Sequence, residues 1–409
     1  MQNIVVDNPY RFVPPRHGRF WYDVFQLWLP RHLNRSHGIE SVECRGVERL
    51  RHSLDAGHGI LLAVNHSRPS DPMMLGMLAR AARQPFFVMA SWHLFVQSRF
   101  QSWLLPRIGG FSVYREGMDR EAVRAAIRIL KEARRPLVLF PEGVISRTND
   151  RLGNLMEGTA LIARSAARQR AAATPPGRVV VHPIAFRYQF RGNLEAAVIP
   201  VIEEIEARLS WRPRRHRPLL KRINKVGEAL LCLKEMEYLG RPQSGRAQPR
   251  LDRLINFLLA PLEKEWLKGE RTGGVVARVK QLRMAILPDL VGGEIDEAER
   301  ARRWRQLEDL YLAQQLFCYP PGYLGSNPTP DRLLETVERF EEDLTDRVRV
   351  HRPFHVIIDV GEALEVNPAP ERGEGADPLM ERIRAEMEAM LERSGKETKL
   401  LPPAPAPGI

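Results

Sequence analysis

The chain is short of several features that mark whole protein classes. It has three cysteines in 409 residues, Cys44, Cys232 and Cys318, with none in a C-x-x-C pair. Three cannot all pair within one chain, which favours a reducing compartment with the cysteines as ordinary apolar side chains. No uncharged apolar run reaches the ~18 residues that a bilayer requires. The opening residues, MQNIVVDNPYRFVPPRHGR, lack the apolar core of a secretory signal. There is no Walker A loop, no G-x-G-x-x-G and no G-x-S-x-G, since Gly110–Tyr114 lacks the final glycine. A nucleotide-binding loop and a nucleophile-elbow hydrolase are therefore not expected. The histidines and cysteines do not cluster at metal-ligand spacings, so no metal is expected.

What is present is a basic, core-forming chain. It carries 62 Lys and Arg against 50 Asp and Glu, a formal net charge of +12, and is 44% hydrophobic. That composition suits one large domain or two ordinary ones. The positive excess asks for an anionic partner, and acidic lipid headgroups, phosphorylated substrates or nucleic acid would serve.

The pattern along the chain is α/β, then helical, then α/β again. Residues 19–35, RFWYDVFQLWLPRHLNR, predict a short helix broken at Pro30. Its aromatics suit either a membrane interface or packing on the domain core. From residue 59, short apolar runs alternate with helical stretches: GILLAVN (59–65), a helix over 72–83, PFFVMA (85–90), GFSVY (110–114), a helix over 121–133, LVLF (137–140), a helix over 155–168 and a strand over 179–188. Such alternation predicts a mixed, largely parallel sheet flanked by helices. From about 201 to 350 the signals are helical, and the strand pattern returns at FHVIIDV (354–360) with a helix over 378–393. The expected organisation is an interfacial segment over 1–39, an α/β domain over 40–200, an all-helical insertion over 201–350, a return over 351–398 and a disordered tail over 399–409.

Four segments could carry chemistry. In AVNHSRPSDPMML, His66 and Asp71 are five residues apart. On a regular helix that spacing separates them by about 140°, so they meet only if S-R-P-S forms a turn, which Pro69 favours. Pro72 suits the first helical position and would place Asp71 at the N-cap. The carboxylate could then hold one imidazole nitrogen while the other accepts a proton from a hydroxyl. A helix cap beside a strand-end polar residue is the plainer alternative. In LVLFPEG, Glu142 and Gly143 follow a strand, where open α/β sheets gather ligands, although an exposed Glu in a Pro-Gly turn also fits. In GGFSVYREG, Arg115 offers a forked donor suited to phosphate, or a solvated strand end. In VVVHPIAFRY, Pro183 predicts an edge, a bulge or a strand end.

Together and in this order, the four segments resemble the glycerol-phosphate and lysophosphatidate acyltransferase family. Its N-H-x-x-x-x-D motif is matched by Asn65, His66 and Asp71. Its Gly-rich strand ending in Arg is matched by Gly110 to Arg115, its F-P-E-G by Phe140 to Gly143, and its Pro-centred strand by Val181 to Ala185. The resemblance covers roughly residues 40–200 and resumes at 354–393. It implies acyl transfer from a thioester, on coenzyme A or acyl carrier protein, to a glycerolipid hydroxyl, with no cofactor and no covalent enzyme intermediate. It makes His66 the general base and Asp71 its orienting partner, and it assigns substrate binding to Asn65, Gly110, Arg115, Glu142 and Gly143. Lysophosphatidate is the expected acceptor.

Two departures stand out. The family often continues F-P-E-G-T-R-S, whereas here Ile145 occupies the Arg place and Arg147 follows two residues later. Arg147 is the candidate substitute, and an acceptor without a phosphate monoester is the alternative. The helical stretch has no counterpart in the resemblance. Its basic segment, WRPRRHRPLLKRINK (211–225), holds seven Lys or Arg and no acid. Docking on the anionic cytoplasmic face of a membrane, a solvated linker and a nucleic-acid contact all fit it, but charge alone motivates the last, and nucleic acid is not expected as a partner. A non-catalytic lipid-binding module on the same fold is the alternative from another class. The acidic stretch LETVERFEEDLT (334–345) reads as a solvated helix face.

Overall fold

The structure, a computed structural model, describes residues 9–293, 295–369 and 377–397. The expected tail over 399–409 lies outside them. The chain opens with α1 (Phe20–His37), β1 (Ile39–Arg45), α2 (Val47–Asp55) and β2 (Gly59–Val64). Next come α3 (Asp71–Ala82), β3 (Phe87–Ser91), α4 (His93–Val96), α5 (Arg99–Arg107) and β4 (Gly110–Val113). They are followed by α6 (Arg120–Glu132), β5 (Leu137–Leu139), α7 (Gly158–Ala171) and β6 (Val179–Phe190). A run of helices then intervenes: α8 (Leu194–Arg208), α9 (Leu219–Leu239), α10 (Ala247–Trp266), α11 (Val275–Gly292), α12 (Glu297–Phe317) and α13 (Pro330–Thr345). The chain returns through β7 (Phe354–Val360), β8 (Leu364–Glu365) and α14 (Pro378–Gly395).

Two compact units result. One spans Tyr10–Gly192 and resumes at Val350, and the other is Asn193–Arg349. The first holds a sheet in the order β1-β7-β6-β2-β5-β3-β4, with β8 beside β6. Strands β6, β2, β5, β3 and β4 run parallel, β7 runs antiparallel to β6, and β1 is parallel to β7. All six residues of β2 are buried, as expected for a central parallel strand with both faces covered. One apolar core joins Leu61, Leu137 and Val181 of the sheet to Leu130 of α6, Ala163 of α7 and Met387 of α14. Each fully buried aliphatic side chain there contributes roughly 1.5–3 kcal/mol.

Three sequence expectations need correction here. Helix α1 is not broken at Pro30 but runs through it to His37. A proline inside a helix costs about 3 kcal/mol, which the burial of neighbouring Leu29 and Leu33 offsets. Pro183 marks no edge, bulge or end, because β6 is an interior strand between β2 and β7. Its missing N–H is tolerated because β8 pairs only with Val180 and Val181, and pairing with β7 starts at Ile184. Helix α13 is not a solvated face, since Leu333 through Glu342 are all buried.

The helical unit has its own core, with Leu254, Leu258, Leu282, Ile286, Leu307 and Leu310 at its centre. It buries charge as ion pairs. Arg222 meets Glu206 at 2.7 Å, Arg250 meets Glu235 at 2.7 Å, and Arg278 meets Glu263 at 2.5 Å. The basic segment over 211–225 is thus partly internal: Arg222 is buried, and Arg215 pairs with Glu203 at 2.8 Å. The expected boundary at 200 falls inside α8, which the Pro200-containing stretch AVIPVI disguised.

Candidate active site

The site gathers where β2 and β5 end. Because β2 pairs with β5 on one side and β6 on the other, the residues after β2 lie between the loop after β5 and the far half of β6. After β2 the chain turns through His66–Ser70 into α3. The imidazole Nδ1 of His66 lies 2.9 Å from Asp71 Oδ2. Asp71 is fully buried and does not act as the helix cap; it is the first residue of α3. Its Oδ2 accepts instead from the backbone N–H groups of Ser67 at 2.7 Å and Arg68 at 2.9 Å. The turn therefore folds around the carboxylate, which is how residues five apart come together.

The loop after β5 grips His66 by its backbone. The His66 N–H donates to Glu142 Oε1 at 2.7 Å, and the Ser146 N–H donates to the His66 carbonyl at 2.7 Å. Phe140 stacks on the imidazole with ring centroids 4.3 Å apart. The second carboxylate oxygen of Glu142 accepts from the Gly153 N–H at 2.8 Å. A side chain at Gly153 would collide with it, since a Cβ there would lie 2.5 Å from Glu142 Oε2. Burial raises the Glu142 pKa to about 7 against the two N–H donors that favour its charge. Gly143 adopts φ +69°, a left-handed turn that suits glycine.

Strand β6 closes the other side. It extends past the end of β2, so residues beyond Ile184 find no β2 backbone there. Two asparagine side chains replace it. Asn65 Oδ1 accepts from the Phe186 N–H at 2.7 Å, and its amide donates to the Phe186 carbonyl at 3.1 Å. Asn149 does the same for Tyr188, at 2.6 and 2.5 Å. Tyr188 is thereby held with its hydroxyl 2.5 Å from Asp71 Oδ1. Arg68 lies over the Tyr188 ring at 5.4 Å and the Phe354 ring at 4.6 Å.

The pair of His66 and Asp71 can move a proton. A proton on Nδ1 facing Asp71 would leave the lone pair of Nε2 as the basic position. Such a dyad suits general-base attack by a hydroxyl. Among the described residues, no group of three or more His, Cys, Asp or Glu is placed to hold a metal.

Residues 41–187 match the family model described as Acyltransferase. That segment belongs to the lysophosphatidate and glycerol-phosphate acyltransferase family, and the protein is an acyltransferase. No curated protein matches the chain.

The acyltransferase unit brings Asn65, His66, Asp71, Glu142 and Gly143 together, but not all at a surface that could face a substrate. Asn65 and Glu142 are buried and turned to backbone partners. Arg147 belongs to the same loop and takes a left-handed φ of +59°. Arg115 follows β4, at the carboxyl edge of the parallel strands, and burial lowers its pKa. Beside it His93 is pushed down to about 4, first by burial and then by the Arg115 charge. Gly110 begins β4, at the end opposite Arg115, where a Cβ would meet the Leu105 carbonyl at 2.9 Å. Its bareness serves packing on α5. Reading from sequence missed Tyr188, Ser146, Asn149 and Gly153. Tyr188 ends the Pro-centred strand motif, so its place was visible but its target was not.

The helical unit holds a cavity of about 1160 Å³ among α9, α12 and α13, walled by Leu231, Leu312, Leu316, Tyr319 and Phe340. It contains none of the motif residues.

Proposed function

We propose that this acyltransferase moves a fatty acyl group from acyl-CoA or acyl carrier protein to a glycerolipid hydroxyl, with lysophosphatidate as first-choice acceptor and phosphatidate as product. The observation that carries the reading is the 2.9 Å contact between His66 Nδ1 and the buried Asp71 carboxylate. The acceptor hydroxyl attacks the thioester carbonyl carbon and gives its proton to His66 Nε2. Collapse of the tetrahedral intermediate breaks the C–S bond, and the imidazolium returns the proton to the departing thiolate. Asp71 stabilises the imidazolium in between. Arg115, with Arg147 on the loop after β5, is the choice for holding acceptor phosphate. Acyl transfer from each labelled donor to lysophosphatidate and glycerol 3-phosphate tests the reading, with His66→Ala alongside. Product from wild type and a loss of about 10³-fold in the folded variant support it; no product from any pairing sinks it.

A second acceptor class is favoured by Ile145 at the family's Arg position. Equal rates on acceptors with and without a phosphate monoester would select a lysophospholipid or another lipid hydroxyl.

Peripheral docking on an anionic membrane fits the outer surface of the same unit. Phe20, Leu27 and Trp28 of α1 and Phe100 of α5 are exposed, and Trp21 and Trp103 join the two helices with ring centroids 4.5 Å apart. No helix among the described residues is long and apolar enough to cross a membrane. Clustered exposed aromatics beside Arg99 and Arg107 suit a headgroup layer. Flotation with vesicles containing anionic lipid should carry the protein, and Leu27→Asp with Phe100→Asp should release it. Equal flotation of the double variant removes this surface.

A further inference from the structure

Tyr188 touches the dyad, yet neither the motifs nor the mechanism above gives it a task. It lies 117 residues from Asp71 in sequence, on a different element, and is 1% exposed. Its backbone is clamped on both polar groups by Asn149. Its ring rests against Phe354 with centroids 6.5 Å apart. The backbone and the ring are thus both held, and the hydroxyl is aimed at Asp71 Oδ1 from 2.5 Å. Ser70 Oγ lies 3.0 Å from the same hydroxyl. Burial and then the Asp71 charge hold the phenol pKa well above its ordinary 10, so it stays neutral and donates.

We propose that Tyr188 is a positioning residue that acts through Asp71 on the catalytic base, completing a relay of Tyr188, Asp71 and His66. This rests on the reading of His66 as the base. The physical reason lies in the division of labour between the two carboxylate oxygens. Oδ2 already serves His66 Nδ1 and the N–H groups of Ser67 and Arg68. A carboxylate held at one oxygen can still rotate about its terminal torsion, which is a broad, soft coordinate. The Tyr188 hydroxyl pins the other oxygen and removes that freedom. It also draws charge from the carboxylate, because hydrogen bonds in a chain polarise one another. Less charge is then left to stabilise an imidazolium. The other titratable or charged groups around the pair are Glu142 on the loop after β5, Arg68 on the same turn and His37 at the end of α1.

The test uses the full chain carrying Tyr188→Phe, which keeps the ring against Phe354 and beneath Arg68. Ser70→Ala, which removes the hydroxyl's other neighbour, is the control. Two readings are taken: steady-state kinetics across pH, and the titration of the His66 imidazole by NMR, assigned with His66→Ala. Tyr188→Phe should lower kcat about tenfold, because the freed carboxylate no longer holds the imidazole in one orientation and that loss outweighs the charge Asp71 regains. It should leave KM for both substrates within about twofold, because the hydroxyl is buried and faces Asp71. The acid limb of kcat/KM and the His66 titration should both move to higher pH, since Asp71 regains charge. Ser70→Ala should move neither. A rate loss explained by unfolded protein, with the His66 titration unmoved, would reduce Tyr188 to packing and overturn the proposal, as would an equal shift in Ser70→Ala. The NMR arm does not need turnover. If the wild type transfers no acyl group while the titration shifts as stated, the acyl-transfer reading fails and the relay stands.

Discussion

Both units of this acyltransferase bury carboxylates, and the two at the site are held differently from three glutamates of the helical unit. In the helical unit Glu206, Glu235 and Glu263 each face an arginine fork. In the acyltransferase unit Asp71 is held by backbone N–H groups, an imidazole and a phenol, and Glu142 by two backbone N–H groups. Titration follows the partner. Arg250 lowers the pKa of Glu235, whereas burial raises Glu142 to about 7. A carboxylate locked to a guanidinium has no remaining chemistry to offer. One held by neutral donors is not locked to a counter-charge, so its interactions stay open to a neighbouring group, as a proton-transfer site needs.

The contrast is broken first by removing its most reactive member. His66→Ala should lower kcat by about 10³-fold, equivalent to ~4 kcal/mol of transition-state stabilisation, with little change in melting temperature. Next in size is Glu235→Ala, which strands the buried Arg250 guanidinium. It should destabilise the helical unit by roughly 3–5 kcal/mol in chemical denaturation, while Glu235→Leu combined with Arg250→Met recovers most of the loss. A mild effect of Glu235→Ala would show that the pair is more hydrated than its 2.7 Å geometry implies. The smallest effect is Glu142→Gln. Its amide can accept only one of the two N–H groups, so kcat should fall about tenfold as the His66 backbone loosens.

Glu142 also predicts a pH dependence of stability. Its folded pKa lies above its ordinary value of 4.5, at about 7. Below pH 4.5 both states hold the proton and the contribution is full. As pH rises toward 7 the unfolded chain ionises first, and that stability is lost. Unfolding free energy measured across this window should show a shallower decline in Glu142→Gln than in wild type.

Much of the site could be read from local chain. His66 and Asp71 were bound to meet once Pro69 and Pro72 forced a turn and a helix start, because short-range geometry alone sets that distance. The capping role expected of Asp71 was replaced by two N–H bonds from the turn, which depend on how residues 66–70 fold back. Glu142 looked like a ligand-facing carboxylate at a strand end. Its real partners are the backbone of His66, 76 residues away, and Gly153, 11 residues on. Neither Asn65 nor Asn149 announced that it would stand in for a missing strand. That need arises only because β6 outruns β2.

The sequence by itself determined the alternation of strands and helices, the helical interruption and the motif residues that identify the family, because these are written in short-range periodicity and turn chemistry. The tertiary structure alone decided which oxygen of Asp71 serves which donor, that Tyr188 reaches it, and that the aromatics of α1 and α5 form one surface. These facts depend on strand order and register, which are set by the burial of both sheet faces and the closing of long loops rather than by neighbouring residues.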